Sequence, residues 1–363
     1  MRLEDVETPA LIIDLPAFER NIRRMSDAVR HTKIMLRPHA KAHKSPAVAM
    51  AQMRGGATGI CCQKVSEAEA MVAGGVLDIL LTNEVVDPGK LRRLARLART
   101  AHIAICVDDV AQVPLVDAAA AAEGVRLEVL VELDVGHHRC GAAAGEVSNI
   151  ASAILRSPCL TFSGLQAYHG AAQHFRAPSE REAAIRKAVE LVREAQDQLA
   201  AIGLPAPRVT GAGTGSFEYE LASGVYTELQ PGSYVFMDAD YGKNLDRNGQ
   251  AARTFENSLF VLATVMSVAG RSHVVLDAGL KATTAESGLP RVYGRAHLEA
   301  VGMSDEHTKV EAAPGGAVPQ LGDKLLLVPG HVDPTVNLHD WYVGVRDGMV
   351  ECLWPITARG PGF

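Results

Sequence analysis

The chain has 363 residues, 47% hydrophobic and 21% charged, with a formal net charge of -6 and a pI near 6.1. That balance suits soluble globular material, one large domain plus a smaller one, and lacks the basic, aromatic-interleaved stripe of a nucleic-acid binder. No apolar run approaches the ~18 residues of a membrane span, and Met1-Arg2-Leu3-Glu4-Asp5 lacks the features of a signal peptide, so a cytoplasmic protein is expected.

Strand-like runs recur in chain order at Ala10–Asp14, Ile34–Pro38, Gly59–Gln63, Ile79–Asn83, Ile103–Asp108, Leu127–Asp134, Thr161–Tyr168 and Arg208–Gly211. Between them lie stretches with helical spacing, such as Pro16–Val29, Asp87–Thr100, Asp109–Glu123 and Ser179–Ile202. This alternation implies βαβ units and a parallel sheet, and eight such pairs close a (β/α)₈ barrel of the TIM type. A doubly wound open sheet is the alternative. The barrel is preferred because polar residues cluster where the apolar runs end: Lys41, Gln63, Asn83, Asp108, Asp134 and Tyr168. Those positions gather at the C-terminal mouth of a barrel, where its active site forms.

After about residue 225 the long helical patterns give way to short β-branched runs separated by Gly, Pro and Asp. Examples are Tyr234–Phe236, Phe260–Val268, His273–Leu276, Lys324–Val328 and Trp341–Val345. The expected organisation is therefore a barrel over 1–240 and a mostly β C-terminal domain over 241–363, joined near Asp238–Asn248. The six cysteines (Cys61, Cys62, Cys106, Cys140, Cys159 and Cys352) show no metal-finger spacing and suit reduced thiols.

Five stretches carry candidate chemistry. In Arg37-Pro38-His39-Ala40-Lys41-Ala42-His43-Lys44, Lys41 continues a strand into the barrel mouth, where a Schiff-base lysine is kept dry enough to lose its proton. Lys44 competes for that role but falls where a helix should start, and an ordinary loop lysine is the commoner case. Gly211-Ala212-Gly213-Thr214-Gly215-Ser216 follows the last barrel strand and precedes a helix, a place suited to a phosphate. It matches neither a Walker loop nor the dinucleotide fingerprint, and a plain tight turn explains it about as well. Arg139, in Asp134–Gly141, and Tyr168-His169-Gly170 with Gln173-His174 leave neighbouring strands, where a guanidinium or ring can meet a planar cofactor; taken alone, a loop salt bridge is the favoured reading of Arg139 and a structural histidine that of His169. In Pro329-Gly330-His331-Val332-Asp333-Pro334, two side chains at alternate positions of an extended segment project together, so His331 and Asp333 can reach one divalent ion. A lone His-x-Asp is more often structural than a metal site.

Together these motifs, with Asp5–Leu11 before them, resemble the D-threonine aldolase and D-serine dehydratase family of alanine-racemase-like, fold type III pyridoxal-phosphate (PLP) enzymes. The resemblance spans essentially the whole chain. It implies a PLP-binding barrel followed by a β domain, a homodimer, and Lys41 as the Schiff-base lysine. It further implies Gly213 and Thr214 at the phosphate, Arg139, Tyr168 and Tyr234 around the cofactor, and His331 and Asp333 on the metal. Dehydratase relatives tend to have a cysteine as the second metal ligand; the carboxylate of Asp333 favours manganese, or magnesium or calcium, over zinc, and with it the aldolase branch. Ala42 departs from the threonine common in relatives.

The expected reaction is cleavage of a D-β-hydroxy-α-amino acid to glycine and an aldehyde, with His174 as candidate base acting directly or through metal-bound water. D-Serine or D-3-hydroxyaspartate dehydration, D-3-hydroxyaspartate cleavage, a non-catalytic PLP carrier and a metal-dependent barrel hydrolase remain alternatives. The C-terminal domain argues against the carrier.

Overall fold

The computed structural model describes residues 1–269 and 273–363. Strand β1 (Ala10–Asp14) leads into helix α1 (Leu15–Val29). The Asp14 side chain starts that helix by accepting the Ala17 N–H at 2.9 Å, with Pro16 in the first turn. Ala17, Phe18, Asn21, Ile22 and Met25 form its buried stripe at three- and four-residue spacing.

The barrel strands are β2 (Met35–Leu36), β3 (Ile60–Cys62), β4 (Asp78–Leu81), β5 (His102–Val107), β6 (Leu127–Glu132), β7 (Leu160–Ala167), β8 (Val209–Gly211) and β9 (Glu228–Leu229). They form one parallel sheet in the order β2-β9-β8-β7-β6-β5-β4-β3. The ring closes where Thr58 N–H donates to Leu36 O at 2.8 Å and Cys61 N–H to Pro38 O at 2.9 Å. Helices α2 (Pro46–Arg54), α3 (Val65–Ala73), α4 (Pro88–Leu97), α5 (Val113–Glu123), α6 (Val147–Arg156), α7 (Pro178–Ala201) and α8 (Phe217–Ala222) follow successive strands.

Strand alternation divides the buried residues into two layers. Cys61, Leu80, Ala104, Cys106 and Leu130 pack with one another, while their neighbours Ile60, Cys62, Ile79, Leu81, Ile105 and Val129 join the main core. Burial pushes the Cys61 and Cys106 thiols well above their ordinary range, and all six cysteines are free. Arg37, from the basic stretch, is consumed inside the barrel by Glu228 at 2.9 Å and Asp78 at 2.6 Å.

One barrel strand differs from expectation. Ala10–Asp14 lies in the second sheet, antiparallel to β10 (Leu259–Ser267), and the eighth barrel position goes to the two-residue β9. The remaining strands are β11 (His273–Leu276), β12 (Arg291–Val292), β13 (Leu298–Met303), β14 (Thr308–Ala312), β15 (Lys324–Val328), β16 (Trp341–Arg346) and β17 (Met349–Pro355). Their main order is β13-β14-β11-β10-β1-β16-β17, with β15 also on β10 and β12 on β15, and β1 runs parallel to β16. A second difference is at Tyr234–Phe236, expected as a strand. Ser233–Val235 is a single 3₁₀ turn, closed by Phe236 N–H to Ser233 O at 3.0 Å.

Candidate active site

Lys41 stands on a short 3₁₀ turn, Ala40–Ala42, directly after β2. His39 fixes that turn: Nδ1 accepts the Lys41 N–H at 3.2 Å, so the ring proton sits on Nε2 and is shared with Thr82 Oγ1 at 2.9 Å. Burial holds this imidazole well below its ordinary pKa, so it acts as a neutral bracket. Lys44, the competing lysine, has a positive φ of 52° and its Nζ is 2.6 Å from the buried Glu67 carboxylate.

A cavity of about 250 Å³ opens above Lys41 and is lined by Lys41, Arg139, Tyr168, Gly213 and Thr214 together with His39, Gln63, Thr82, Gln166, Gln230, Gly232, Ser233 and Tyr241. Five of the candidate site residues named from the sequence therefore line one cavity. The Arg139 loop is pinned by Asp134, whose Oδ1 accepts the Gly136 and His138 N–H groups, and by Asp108, which accepts the Gly141 N–H at 2.9 Å. The guanidinium carbon of Arg139 lies 6.0 Å from the centre of the Tyr168 ring.

The glycine turn at the same cavity fits a phosphate. A Cβ on Gly213 would meet the end of the buried Gln173 side chain at 2.4 Å, so glycine lets the turn lie this close without displacing that amide. Among the described residues, the backbone N–H groups of Gly213, Thr214, Gly232 and Ser233 find no acceptor, which leaves four donors at one cavity. Thr214 Oγ1 accepts the Tyr234 N–H at 2.9 Å and keeps its own proton to donate.

A second cavity, about 480 Å³, shares Lys41 and Gln63 with the first and is lined by His331, Asp333 and Glu286 from the C-terminal part of the chain. The His331–Asp333 pair is built by a helix start, not by strand alternation as expected: His331 is the extended cap of α9 (Val332–Val336), and Asp333 is in its first turn. The Asp238 carboxylate secures that start by accepting the Val332 N–H at 3.0 Å. Lys41 Nζ donates to Asp333 Oδ2 at 2.8 Å, while Asp333 Oδ1 is buried without a hydrogen bond and lies 3.9 Å from His331 Nε2. One unpartnered carboxylate oxygen facing an imidazole nitrogen is a donor set that suits a divalent ion. The Asp333 carboxylate holds the Lys41 ammonium above its ordinary pKa. Burial alone would raise the Asp333 carboxyl, but Lys41 and His331 hold it below the usual range.

Two of the sequence-named residues stand apart from the cavity wall. The Tyr234 ring turns into the core, with its hydroxyl taken by Gln52 Nε2 at 3.1 Å and its ring 5.5 Å from Phe255; only its backbone touches Thr214. His174 lies behind Tyr241, their rings 5.6 Å apart, and its Nδ1 is 2.7 Å from Asp240 Oδ2. Conversely, Gln166 and Gln230 line the wall through a reciprocal amide pair at 2.8 and 3.2 Å, with Thr210 donating onward to Glu228. Gln166 lies near the end of a recognisable strand and was within reach of sequence reasoning; Gln230 follows the two-residue β9 and carries no local signal.

With this geometry in place, comparison with known proteins is specific. Residues 13–240 match the family described as "Alanine racemase, N-terminal domain", and residues 258–345 match "Putative serine dehydratase domain". The chain is 50% identical to 3-hydroxy-D-aspartate aldolase of Paracoccus denitrificans (strain Pd 1222) over 364 residues, covering 99% of this chain and 94% of that one. It is also 50% identical to D-threonine aldolase of an Arthrobacter species over 359 residues, with the same coverage. The crystal structure of D-threonine aldolase from Filomicrobium marinum superposes with a TM-score of 0.96 at 46% identity, covering 100% of this chain and 98% of that one.

Proposed function

The chain belongs to the alanine racemase N-terminal-domain family, and from that premise we propose that it is a lyase, an aldolase that cleaves D-β-hydroxy-α-amino acids of the D-threonine type to glycine and an aldehyde. The observation that carries this reading is the position of Lys41. Its amine lines the cavity of the glycine turn and also touches Asp333, beside His331, in the adjoining cavity.

Pyridoxal phosphate would be held by Lys41, Arg139, Tyr168, Gly213 and Thr214, and a divalent ion by His331 and Asp333; when bound, the cofactor supplies an electron sink for Cα and the ion a Lewis acid for the β-hydroxyl. One imidazole and one carboxylate favour manganese, with magnesium or calcium next and zinc last. Around those groups the chain's own residues have separable tasks. Lys41 brings the amine, held as an ammonium by Asp333 rather than kept neutral as expected from the sequence, so it must give up that proton before it acts as a nucleophile. Thr214 and the four unpaired backbone donors bind anionic oxygens. Arg139 and Tyr168 also line the cavity. His174, the candidate base, stands behind Tyr241 and off the wall of both cavities, so it acts only through bound water; Asp240 occupies its Nδ1, and Arg176 donates to Asp240 at 2.8 Å through the backbone oxygen. The substrate is a small β-hydroxy-D-amino acid, the active form is a homodimer, and the compartment is the cytoplasm, as the family resemblance and composition suggest. Among the described residues no helix is long and apolar enough to cross a membrane.

The test is to supply D-threonine and D-3-hydroxyaspartate and assay glycine, aldehyde, keto acid and ammonia. Glycine plus aldehyde is expected; keto acid plus ammonia as the main products would replace the reading with a dehydratase. Lys41→Ala should lose the visible absorbance of the PLP-loaded protein and fall in activity by ~10³-fold or more. A wild-type protein that stays colourless after PLP is added ends the proposal.

A further inference from the structure

We infer that Glu286 is the positioning residue of the metal site, holding the His331 imidazole in the one tautomer and orientation that leaves Nε2 bare toward Asp333. The inference rests on the reading that His331 and Asp333 bind a divalent ion. Glu286 Oε1 lies 3.1 Å from His331 Nδ1. An ionised carboxylate only accepts hydrogen bonds, so the ring proton belongs on Nδ1. Nε2 then presents its lone pair across 3.9 Å to Asp333 Oδ1, the buried oxygen without a partner.

The opposite tautomer would place an N–H where the cation belongs. The contact with Glu286 disfavours it, and a carboxylate on Nδ1 also makes Nε2 the stronger donor.

Glu286 is half exposed, yet its backbone is fastened on both sides. On one side Thr284 N–H donates to Thr335 Oγ1 at 3.3 Å, tying the loop to α9, the helix that carries Asp333. On the other, Gly288 N–H closes a turn onto Ala285 O at 3.1 Å, and a Cβ on Gly330 would meet Gly288 O at 2.2 Å. Glu286 therefore sits between two points at which its loop is stitched to the segment containing His331 and Asp333. Among the described residues its carboxylate has no other ion-pair partner, so the histidine contact accounts for its placement.

The experiment is a Mn²⁺ titration of the PLP-loaded protein, following the free-ion electron paramagnetic resonance signal in wild type, Glu286→Gln and Glu286→Ala. Loss of an outer partner of a metal-bound histidine weakens binding by ~10–100-fold. The alanine variant should show that loss, and the glutamine variant, whose amide oxygen still accepts but carries no charge, should fall between it and wild type. Cofactor absorbance and circular dichroism should not change. In the metal-free protein, long-range ¹H–¹⁵N spectra of His331 should show Nδ1 protonated in wild type and a shift toward Nε2–H in Glu286→Ala.

Wild-type affinity in Glu286→Ala, or a wild-type His331 protonated on Nε2, overturns the inference. Absence of Mn²⁺ binding by wild type instead overturns the metal reading beneath it, and the nitrogen spectra still decide the tautomer.

Discussion

Lys41 and Lys44 share one chemistry and lie three positions apart, and their neighbours separate them. Lys44 is tied to buried Glu67, whereas Lys41 faces two cavities and touches a carboxylate at the helix start that carries the metal pair. The same contrast applies to Glu220, a buried carboxyl behind the glycine turn. Ser216 donates to its Oε1 at 2.7 Å, and its Oε2 has no partner. Burial pushes this carboxyl up to about 7. Because the folded value lies above the ordinary one, the neutral form favours folding: that stability is complete below the ordinary value and is lost as pH rises through about 7. Between pH 5 and 8, wild type should therefore lose roughly 2–3 kcal/mol relative to Glu220→Gln, read as the difference between their pH-dependent unfolding curves. Parallel curves would mean that Glu220 does not titrate in this range.

At the scale of elements, β1 shows how little a strand's own pattern says about its sheet. Leu11, Ile12 and Ile13 are buried on both faces, as a barrel strand would be, but their partners are Val261, Phe260 and Leu259 on β10 and Tyr342, Val343 and Gly344 on β16. The first strand-like run is therefore the central seam of the second sheet. Ile13→Ala should cost about 2–4 kcal/mol in denaturant unfolding, since Ile13 is completely buried there. A cost below about 1 kcal/mol would mean that the seam relaxes around the gap. β9 is the complementary case: two residues suffice because β8 and β2 supply the pairing on either side.

For the whole molecule, the two cavities are built from different parts of the chain and meet at Lys41. Residues up to Tyr241 line the first, while Glu286, His331, Asp333 and the segment at Gly360-Pro361 share the second with the barrel mouth. Cofactor binding and metal binding should accordingly separate. Chelation, or His331→Ala, is expected to lower cleavage by ~10²–10⁴-fold while the visible absorbance of bound PLP persists. Unchanged activity of His331→Ala would remove the metal from the mechanism without touching the Lys41 reading.

Much of this arrangement is legible in the chain because it is local. An apolar run that ends in a polar residue marks a strand mouth, a glycine turn marks a close backbone approach, and a histidine two residues before an aspartate can share a metal ion with it. Lys41, Tyr168, Gly213 and Thr214 stand at such local signals, Arg139 is singled out by the family resemblance, and all five share one cavity. Only the tertiary structure decides which sheet takes Ala10–Asp14, turns Tyr234 inward, brings Gln230 to the wall and sets Glu286 against His331. Those outcomes depend on pairings between residues far apart in sequence, where neither spacing nor propensity records the partner. What the sequence alone determines is the chemistry available at Lys41; the fold determines that this amine stands between a phosphate-sized cradle and a metal-sized gap.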